Sequence, residues 1–462
     1  MNSIRARFAR PVLLLLAAAL AGCVQFHDRP LSAEKAHADF DTRTLADPGL
    51  KAFIETNLPM PVVTWPLAAW SFPQLALAAF YFHPDLDVAR ARWGVTRSGQ
   101  VTAGERPNPT VSLAPGYNAT VGPPWILGLS FDIPLETAGK RGHRIAQAGH
   151  LSEAARLNIA TVAWQVRSRV RRSLNDLQAA RETEALLQRQ QGVQAGIVKL
   201  LEGQLAAGAI SPFEVAQARV ANDTTRLALH DAERQAIEAR ALLADALGVP
   251  VSALADVQLV FDTAAPPALP APDVRRQAVL NRADLRGALA EYAAAQAALQ
   301  LEIAKQYPDL HLGPGYQLDQ TDHKWTLGLS VTLPVFNQNQ GAIAEAESRR
   351  TEVAARFTAL QARVLGELDR ARASYGAWLA KVATAEALLI RLQQQEKSTQ
   401  EMVAVGELSK LALLTAQLEL NTGLLARLDT QLKTRQALAT LEDAVQGPLS
   451  ANVQTQSATP AH

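Results

Sequence analysis

The sequence predicts a mainly α-helical chain that carries a few membrane β-strands. A helix-strand-strand-helix-helix unit is used twice in succession. Three observations predict this. Short motifs recur in one order at about one offset, two stretches of more than sixty residues contain no proline, and four stretches of about ten residues alternate between apolar side chains and mostly small or polar ones. Composition agrees with the helical part. The 462 residues hold 45 Lys+Arg against 44 Asp+Glu, 48% hydrophobic residues and only 5% aromatics. Such a chain is too apolar to be wholly disordered, and its net charge of +1 gives no electrostatic footprint for nucleic acid. One cysteine supplies neither an intrachain disulfide nor a multi-cysteine metal site.

The first element is an address. Arg5, Arg7 and Arg10 form a basic segment, and an uncharged apolar run follows from Val12 to Leu20. That run is shorter than the roughly 20 residues a spanning helix needs, and it fits the core of a secretory signal. It ends in Leu20-Ala21-Gly22-Cys23, which resembles the bacterial lipobox. The resemblance implies a signal peptide over 1–22, cleavage before Cys23, and diacylglycerol and palmitate on that residue. Val24, where Asp would retain the protein elsewhere, implies the outer membrane. Residues 23–72 then read as a lipidated extended segment. No later run reaches the length of a transmembrane helix.

The duplication comes next. Pro115-Gly116-Tyr117 recurs as Pro314-Gly315-Tyr316, and Trp125-Ile126-Leu127-Gly128-Leu129-Ser130 recurs as Trp325-Thr326-Leu327-Gly328-Leu329-Ser330. Gly208-Ala209-Ile210-Ser211 answers to Gly406-Glu407-Leu408-Ser409, and Asp245-Ala246 to Asp443-Ala444. All offsets fall at about 198 to 200 residues. One unit covers 73–250 and the other 272–447. A Pro-rich linker over 251–271 joins them, and a polar tail over 448–462 follows.

Within each unit two strands lead into a long helix and its return. Helices are expected over 140–207 and 211–247, and again over 342–405 and 409–445. At 1.5 Å per residue the longer ones reach roughly 100 Å, so they pack side by side as coiled coils. Gly208 and Gly406 close them, Ser211 and Ser409 stand as N-caps, and Pro212 suits a first helical position.

The strands are expected at about 108–119, 124–135, 308–319 and 324–335. On one face stand Trp125, Leu127, Leu129 and Phe131, with Trp325, Leu327, Leu329 and Val331 in the second unit. The other face holds Ser130, Asp132, His311 and Asp319 among Gly, Ser, Thr and Ala. A soluble sheet lying on a core would alternate too. An apolar face without a charged side chain, opposite a face of small residues, fits lipid outside and a crowded barrel interior. Tyr117, Trp125, Tyr316 and Trp325 lie where an aromatic girdle would. Four strands do not close a barrel, and an open sheet would leave backbone groups unpaired in lipid. Several copies are therefore required: two would give eight strands, three would give twelve around a pore.

These residues resemble the TolC-type outer-membrane efflux family. The duplicated Pro-Gly-Tyr and Trp-x-Leu-Gly-Leu-Ser strands carry the resemblance, with the junctions Pro134 to Gly142 and Pro334 to Asn337, the Gly-x-x-Ser turns and Leu247-Gly248. The Gly139-Lys140-Arg141-Gly142 junction and the lipobox are similar to its heavy-metal (CzcC/CusC-like) branch. The resemblance covers about 70–448. It implies a homotrimer with a twelve-stranded outer-membrane barrel continuous with a periplasmic α-helical tunnel. It further implies a passive gated duct for small solutes, heavy-metal cations or drugs, working with a periplasmic adaptor protein and an inner-membrane RND-type transporter. Gly208, Ser211, Gly406, Glu407 and Ser409 would be the tip that meets the adaptor. In the family, aspartates six and nine residues beyond the second tip glycine ring the closed entrance. Ala412 and Thr415 stand there instead, which leaves Glu407 as the carboxylate nearest the turn.

No catalytic, cofactor or metal constellation is visible. The nine histidines lack ligand spacing, and neither a Gly-x-Ser-x-Gly elbow nor a Walker loop occurs. The chain is not expected to be an enzyme. Two alternatives keep parts of the architecture: a protein-secretion conduit, and a periplasmic coiled-coil scaffold lipoprotein.

Overall fold

The computed structural model describes residues 24–58, 64–120, 122–261, 265–269 and 274–449. The signal peptide, Cys23, linker residues 262–264 and 270–271, and nearly all of the C-terminal tail lie outside the described residues. The chain divides into two units, residues 1–44 and 45–462. In the first, helix α1 (Ala33–Asp41) begins at Ser32, whose hydroxyl accepts from the Lys35 amide. The second opens with α2 (Pro48–Asn57), started by Asp47 accepting from the Leu50 amide. The expected extended segment is thus partly helical. The side-chain caps, with Pro48 in the first turn, supply the nucleation that apolar periodicity alone did not reveal.

A two-residue strand β1 (Ala69–Trp70) leads to α3 (Phe72–Phe82) and α4 (Pro84–Gly104), which are broken apart at His83-Pro84. Strands β2 (Thr110–Tyr117) and β3 (Trp125–Leu135) follow, then the 67-residue α5 (Lys140–Ala206) and its return α6 (Pro212–Leu247). The segment after the first repeat carries short elements of its own. Val251–Leu254 form a 3-10 turn, and β4 (Gln258–Leu259) pairs in parallel with β1. The second repeat gives α7 (Val274–Asn281), α8 (Ala283–Ala304), β5 (Leu310–Asp319), β6 (Asp322–Val331), α9 (Gln340–Ala404) and α10 (Lys410–Val445).

The strands form one antiparallel sheet in the order β2-β3-β5-β6. β6 ends at Val331, short of the expected 335, while its twin β3 continues to Leu135. The reason is pairing: Ile133, Pro134 and Leu135 lie opposite Leu312, His311 and Leu310, whereas β6 is an edge and β5 begins at Leu310.

The long helices follow the same order. α5 packs on α6 and α10, and α10 packs on α9, giving the row α6-α5-α10-α9. α4 starts where α6 ends, with Gly248 against Phe82 and His83; α8 starts where α10 ends, with an Arg282 guanidinium donating to the Ala444 carbonyl at 2.7 Å. The main apolar core sits on one stripe of α5. Val166, Val170, Leu174 and Leu177 meet Leu50 and Ile54 of α2, Trp70, Leu75 of α3, and Leu243 and Leu247 of α6.

Candidate functional site

Register puts the apolar side chains of all four strands on one face. Tyr117 faces Trp125, Leu113 faces Leu129, and Val111 faces Phe131. Leu129 then faces Tyr316, which faces Trp325, while Leu312 faces Leu329 and Leu310 faces Val331. Trp125, Leu127, Phe131, Trp325, Leu327, Leu329 and Val331 are exposed in the single chain, and Leu129 is half-buried. The face is not wholly apolar. His323 lies opposite Leu318 at the hairpin end, with its Nδ1 2.5 Å from the Tyr316 hydroxyl.

The opposite face carries Ser130, Asp132, His311 and Asp319, with Gly128, Gly313, Gly315 and Gly328 between them. His311 Nδ1 lies 3.0 and 3.2 Å from the two Asp132 oxygens across the β3–β5 pair. Asp319 is eight residues along β5 from His311 and accepts from the Lys324 ammonium at 2.5 Å. A Cβ at Gly315 would stand 2.7 Å from the Thr326 hydroxyl, so a larger residue there would require the Thr326 side chain to turn away.

Sequence reasoning missed the latch between sheet and helices. The Lys140 ammonium, almost buried, donates to Asp309 Oδ1 at 2.8 Å and to the Tyr307 carbonyl at 2.6 Å. The Thr137 amide donates to the same Asp309 oxygen at 2.9 Å, and Arg144 pairs with Glu136. Burial pushes the Asp309 carboxyl up, but the bonds from Lys140 and Thr137 outweigh it and hold the acid below the ordinary aspartate range. The junction motif Gly139-Lys140-Arg141-Gly142 marked this place without revealing its partner, which lies across the chain.

At the other end of the long helices, Gly208 and Gly406 adopt φ of +74° and +82°. Both terminate their helices in the left-handed conformation, with nothing near a substituted Cβ. Ser409 caps α10, its hydroxyl accepting from the Ala412 amide at 3.2 Å. Ser211 holds the equivalent backbone position but makes no side-chain cap; its hydroxyl contacts Glu214 at 3.4 Å. Glu407 and Thr415 are exposed and Ala412 is half-buried. Ile197, Leu201 and Val215 form a core just inside the turn with Leu411, Leu414 and Leu418 of the second hairpin.

Where the repeats meet, Glu442 of α10 is 1% exposed. The guanidiniums of Arg167 and Arg171 on α5 each approach it at 3.6 Å, and the Leu449 amide donates at 3.1 Å. Burial lowers the Arg167 pKa while the Glu442 charge opposes that shift. Tyr375 of α9, fully buried, donates to the Pro267 carbonyl; burial and the Glu442 charge raise its pKa to about 12.

Two cavities fix which side of the helix row is concave. One, of about 550 Å³, is bounded by α5, α6 and α10 and lined by Asp176, Glu238 and Asp429. The other, of about 700 Å³, is bounded by α5, α9 and α10 with the start of α8, and lined by Arg172, Arg370 and Asp443 among others. A cavity touched by both neighbours of a middle helix lies where those neighbours converge. The same stripe of α5, from Gln165 through Arg169 and Arg172 to Asp176, borders both. The main core covers a different stripe of α5, about 125° further round the helix.

A sheet with an apolar outer face and two open edges, joined through a latch to a curved row of long helices, is the fold of TolC-like outer-membrane channels. The model of the outer membrane efflux protein family matches residues 69–249 and 274–446, and the chain belongs to that family. Its members are passive channels, not enzymes. The chain is 30% identical over 252 residues to the cobalt-zinc-cadmium resistance protein CzcC of Cupriavidus metallidurans, covering 53% of this chain and 60% of that one. It is 29% identical over 220 residues to the pyoverdine export outer membrane protein OpmQ of Pseudomonas aeruginosa, covering 46% of each. These matches span less than two thirds of either relative. Among solved structures it is similar to the outer-membrane channel OprN (TM-score 0.69, 18% identity, 92% of this chain and 99% of that one). It is also similar to VceC from Vibrio cholerae (TM-score 0.68, 20% identity, 84% and 100%). CusC gives a TM-score of 0.66 at 19% identity, covering 85% and 98%.

Proposed function

We propose that the chain is the outer-membrane channel of a tripartite efflux system, a passive duct through which an inner-membrane transporter and a periplasmic adaptor expel small solutes. Three copies complete a twelve-stranded barrel, and their helix rows close into a tunnel. Cys23 carries the lipid anchor. Trp125, Leu127, Leu129, Phe131, Trp325, Leu327, Leu329 and Val331 face hydrocarbon. Ser130, Asp132, His311 and Asp319 face the pore, and the turns at Gly208, Ser211, Gly406, Glu407 and Ser409 meet the adaptor.

One observation carries this reading: the chain has two unmatched edges that its own repeat interface knows how to fill. Phe213, Val220 and Leu227 of α6 are 68%, 66% and 68% exposed, at heptad spacing. Their counterparts 198 residues on are Leu411, Leu418 and Leu425 of α10, which pack into the cores against α5. At the other edge α9 buries six residues along its length, where its twin α5 buries fourteen. Strand edges β2 and β6 fall on the same two sides, so one rotation about an axis on the concave side seats every edge together. The likeness to CzcC favours divalent metal cations as cargo.

Planar-bilayer conductance of the purified protein, with its native mass, tests the proposal. A trimer that conducts is expected, and a monomer without channel activity overturns it. Replacing Cys23 with Ser separates the scaffold alternative: a barrel stays in the membrane without its lipid, whereas a scaffold is released. A deletion strain screened against cobalt, zinc, cadmium and drugs reads the cargo.

A further inference from the structure

The internal duplication also specifies side-chain pairs between copies. Inside the chain, α5 meets α10 through polar contacts on the concave side. Asp443 accepts from the Trp164 indole at 3.0 Å and the Ser168 hydroxyl at 2.5 Å, and pairs with Arg172 at 3.4 Å. The helical halves of the two repeats superimpose in sequence at an offset of 198: Gly208 on Gly406, and Asp245-Ala246 on Asp443-Ala444. Burial follows the same offset, with Val166, Val170 and Leu177 of α5 answering to Val364, Leu368 and Tyr375 of α9. Arg172 therefore answers to Arg370 and Asp443 to Asp245.

Neither counterpart is satisfied in the single chain. Arg370 is exposed on the edge helix, and among the described residues its guanidinium makes no hydrogen bond or ion pair. The Asp245 carboxylate is exposed at the end of α6, on the opposite edge, and is likewise without a hydrogen bond or ion pair among the described residues; the His83 ring feels its charge. The other two donors to Asp443 are not repeated. Trp164 and Ser168 answer to Ala362 and Gly366, which leaves Arg370 as the one side chain of the set able to meet Asp245.

We propose that Arg370 of each copy pairs with Asp245 of the next, forming a ring of inter-subunit ion pairs on the concave side of the tunnel, level with the Arg172–Asp443 pairs inside each chain. The inference rests on the trimeric duct and adds the contact that sets its register. It follows from placing the α9-α6 contact between copies as the α5-α10 contact is placed within one. An intra-chain pair backed by an indole and a hydroxyl is thereby matched by an inter-chain pair that stands alone. The joint between copies is the weaker of the two, the one at which the helix row yields first.

The test is a charge-swap cycle on the full-length protein in the outer membrane. Arg370→Glu and Asp245→Arg are made singly and together, and the temperature at which the oligomer dissociates in detergent is measured. Each single change places like charges face to face and lowers that temperature. The double variant restores most of the loss. A double variant no better than the sum of its parts, or single variants that match the parent, overturns the pairing. A second readout guards against misfolded variants: Arg370→Cys with Asp245→Cys is treated in intact cells with a short thiol-to-thiol cross-linker. Covalent dimers and trimers support the contact, and monomer alone refutes it. A parent protein that is itself monomeric sinks the duct reading, whereas an oligomeric parent without rescue or cross-link sinks only this pair.

Discussion

Leu329→Arg is the most direct probe of the membrane wall. On β3 the apolar face runs from Trp125 to Leu135, ten steps of about 3.3 Å on a strand inclined by about 40°, or roughly 25 Å of height, and Leu329 is the repeat counterpart of Leu129 on that strand. That equals the apolar band of an outer-membrane barrel. Leu329 lies four steps from Trp325, near mid-height, and is 69% exposed in the single chain. A guanidinium there costs about 2–4 kcal/mol per copy at the midplane, or about 6–12 kcal/mol for three copies. Ser330→Arg, one residue on, points to the opposite face and serves as the control, since pore-facing substitutions tune selectivity more than stability. Refolding of the urea-unfolded chain into lipid vesicles, followed by the mobility of unheated samples on gels, reads both. Leu329→Arg should abolish or strongly shift the folding transition, and Ser330→Arg should leave it nearly in place. Equal effects would refute the assignment of the faces. Two changes within about 0.5 kcal/mol of the parent would instead describe an ordinary wet surface.

Other expectations follow from the remaining sites. Gly406→Ala introduces a Cβ at φ +82° with nothing near it, so the cost is conformational alone, about 1–2 kcal/mol, and hydrogen exchange should rise at the turn while the distant sheet is unchanged. Glu442→Ala strands the Arg167 and Arg171 charges and should cost about 3–5 kcal/mol in thermal or denaturant unfolding; a loss under 1 kcal/mol would mean that the node is not stabilising. Asp309 has a lowered pKa, so its stabilising share is fully present above the ordinary aspartate value of about 3.9 and is lost as the pH falls through the lowered one. Lys140→Met should flatten that acid limb of the stability profile; an unchanged limb would exclude the latch as its source.

The strands and the duplication were legible because both are local regularities. Period two over ten residues places Trp325, Leu327 and Leu329 on one face whatever surrounds them. The helix ends were legible for the same reason, since Gly208 and Gly406 supply the left-handed turn and Ser409 the cap. The latch was not, because Lys140 and Asp309 are 169 residues apart and neither carries a motif that names the other. Glu442 was hidden for a different reason. On a helix rich in exposed charge, a buried carboxylate looks like its neighbours until Arg167, Arg171 and Tyr375 close around it.

What the amino-acid sequence settled alone was periodicity: the repeated unit, the two-faced strands and the lengths of the helices, each dictated by backbone geometry and by side chains a few residues apart. Only the tertiary structure decided how the two units lie against each other, hence the order β2-β3-β5-β6 and the row α6-α5-α10-α9, because that order depends on contacts between residues hundreds of positions apart. From the same contacts came the difference between the filled interface at Leu411, Leu418 and Leu425 and the bare one at Phe213, Val220 and Leu227. Two nearly identical heptad stripes are indistinguishable in sequence, and their fates diverge because one chain has a single internal joint and two free edges.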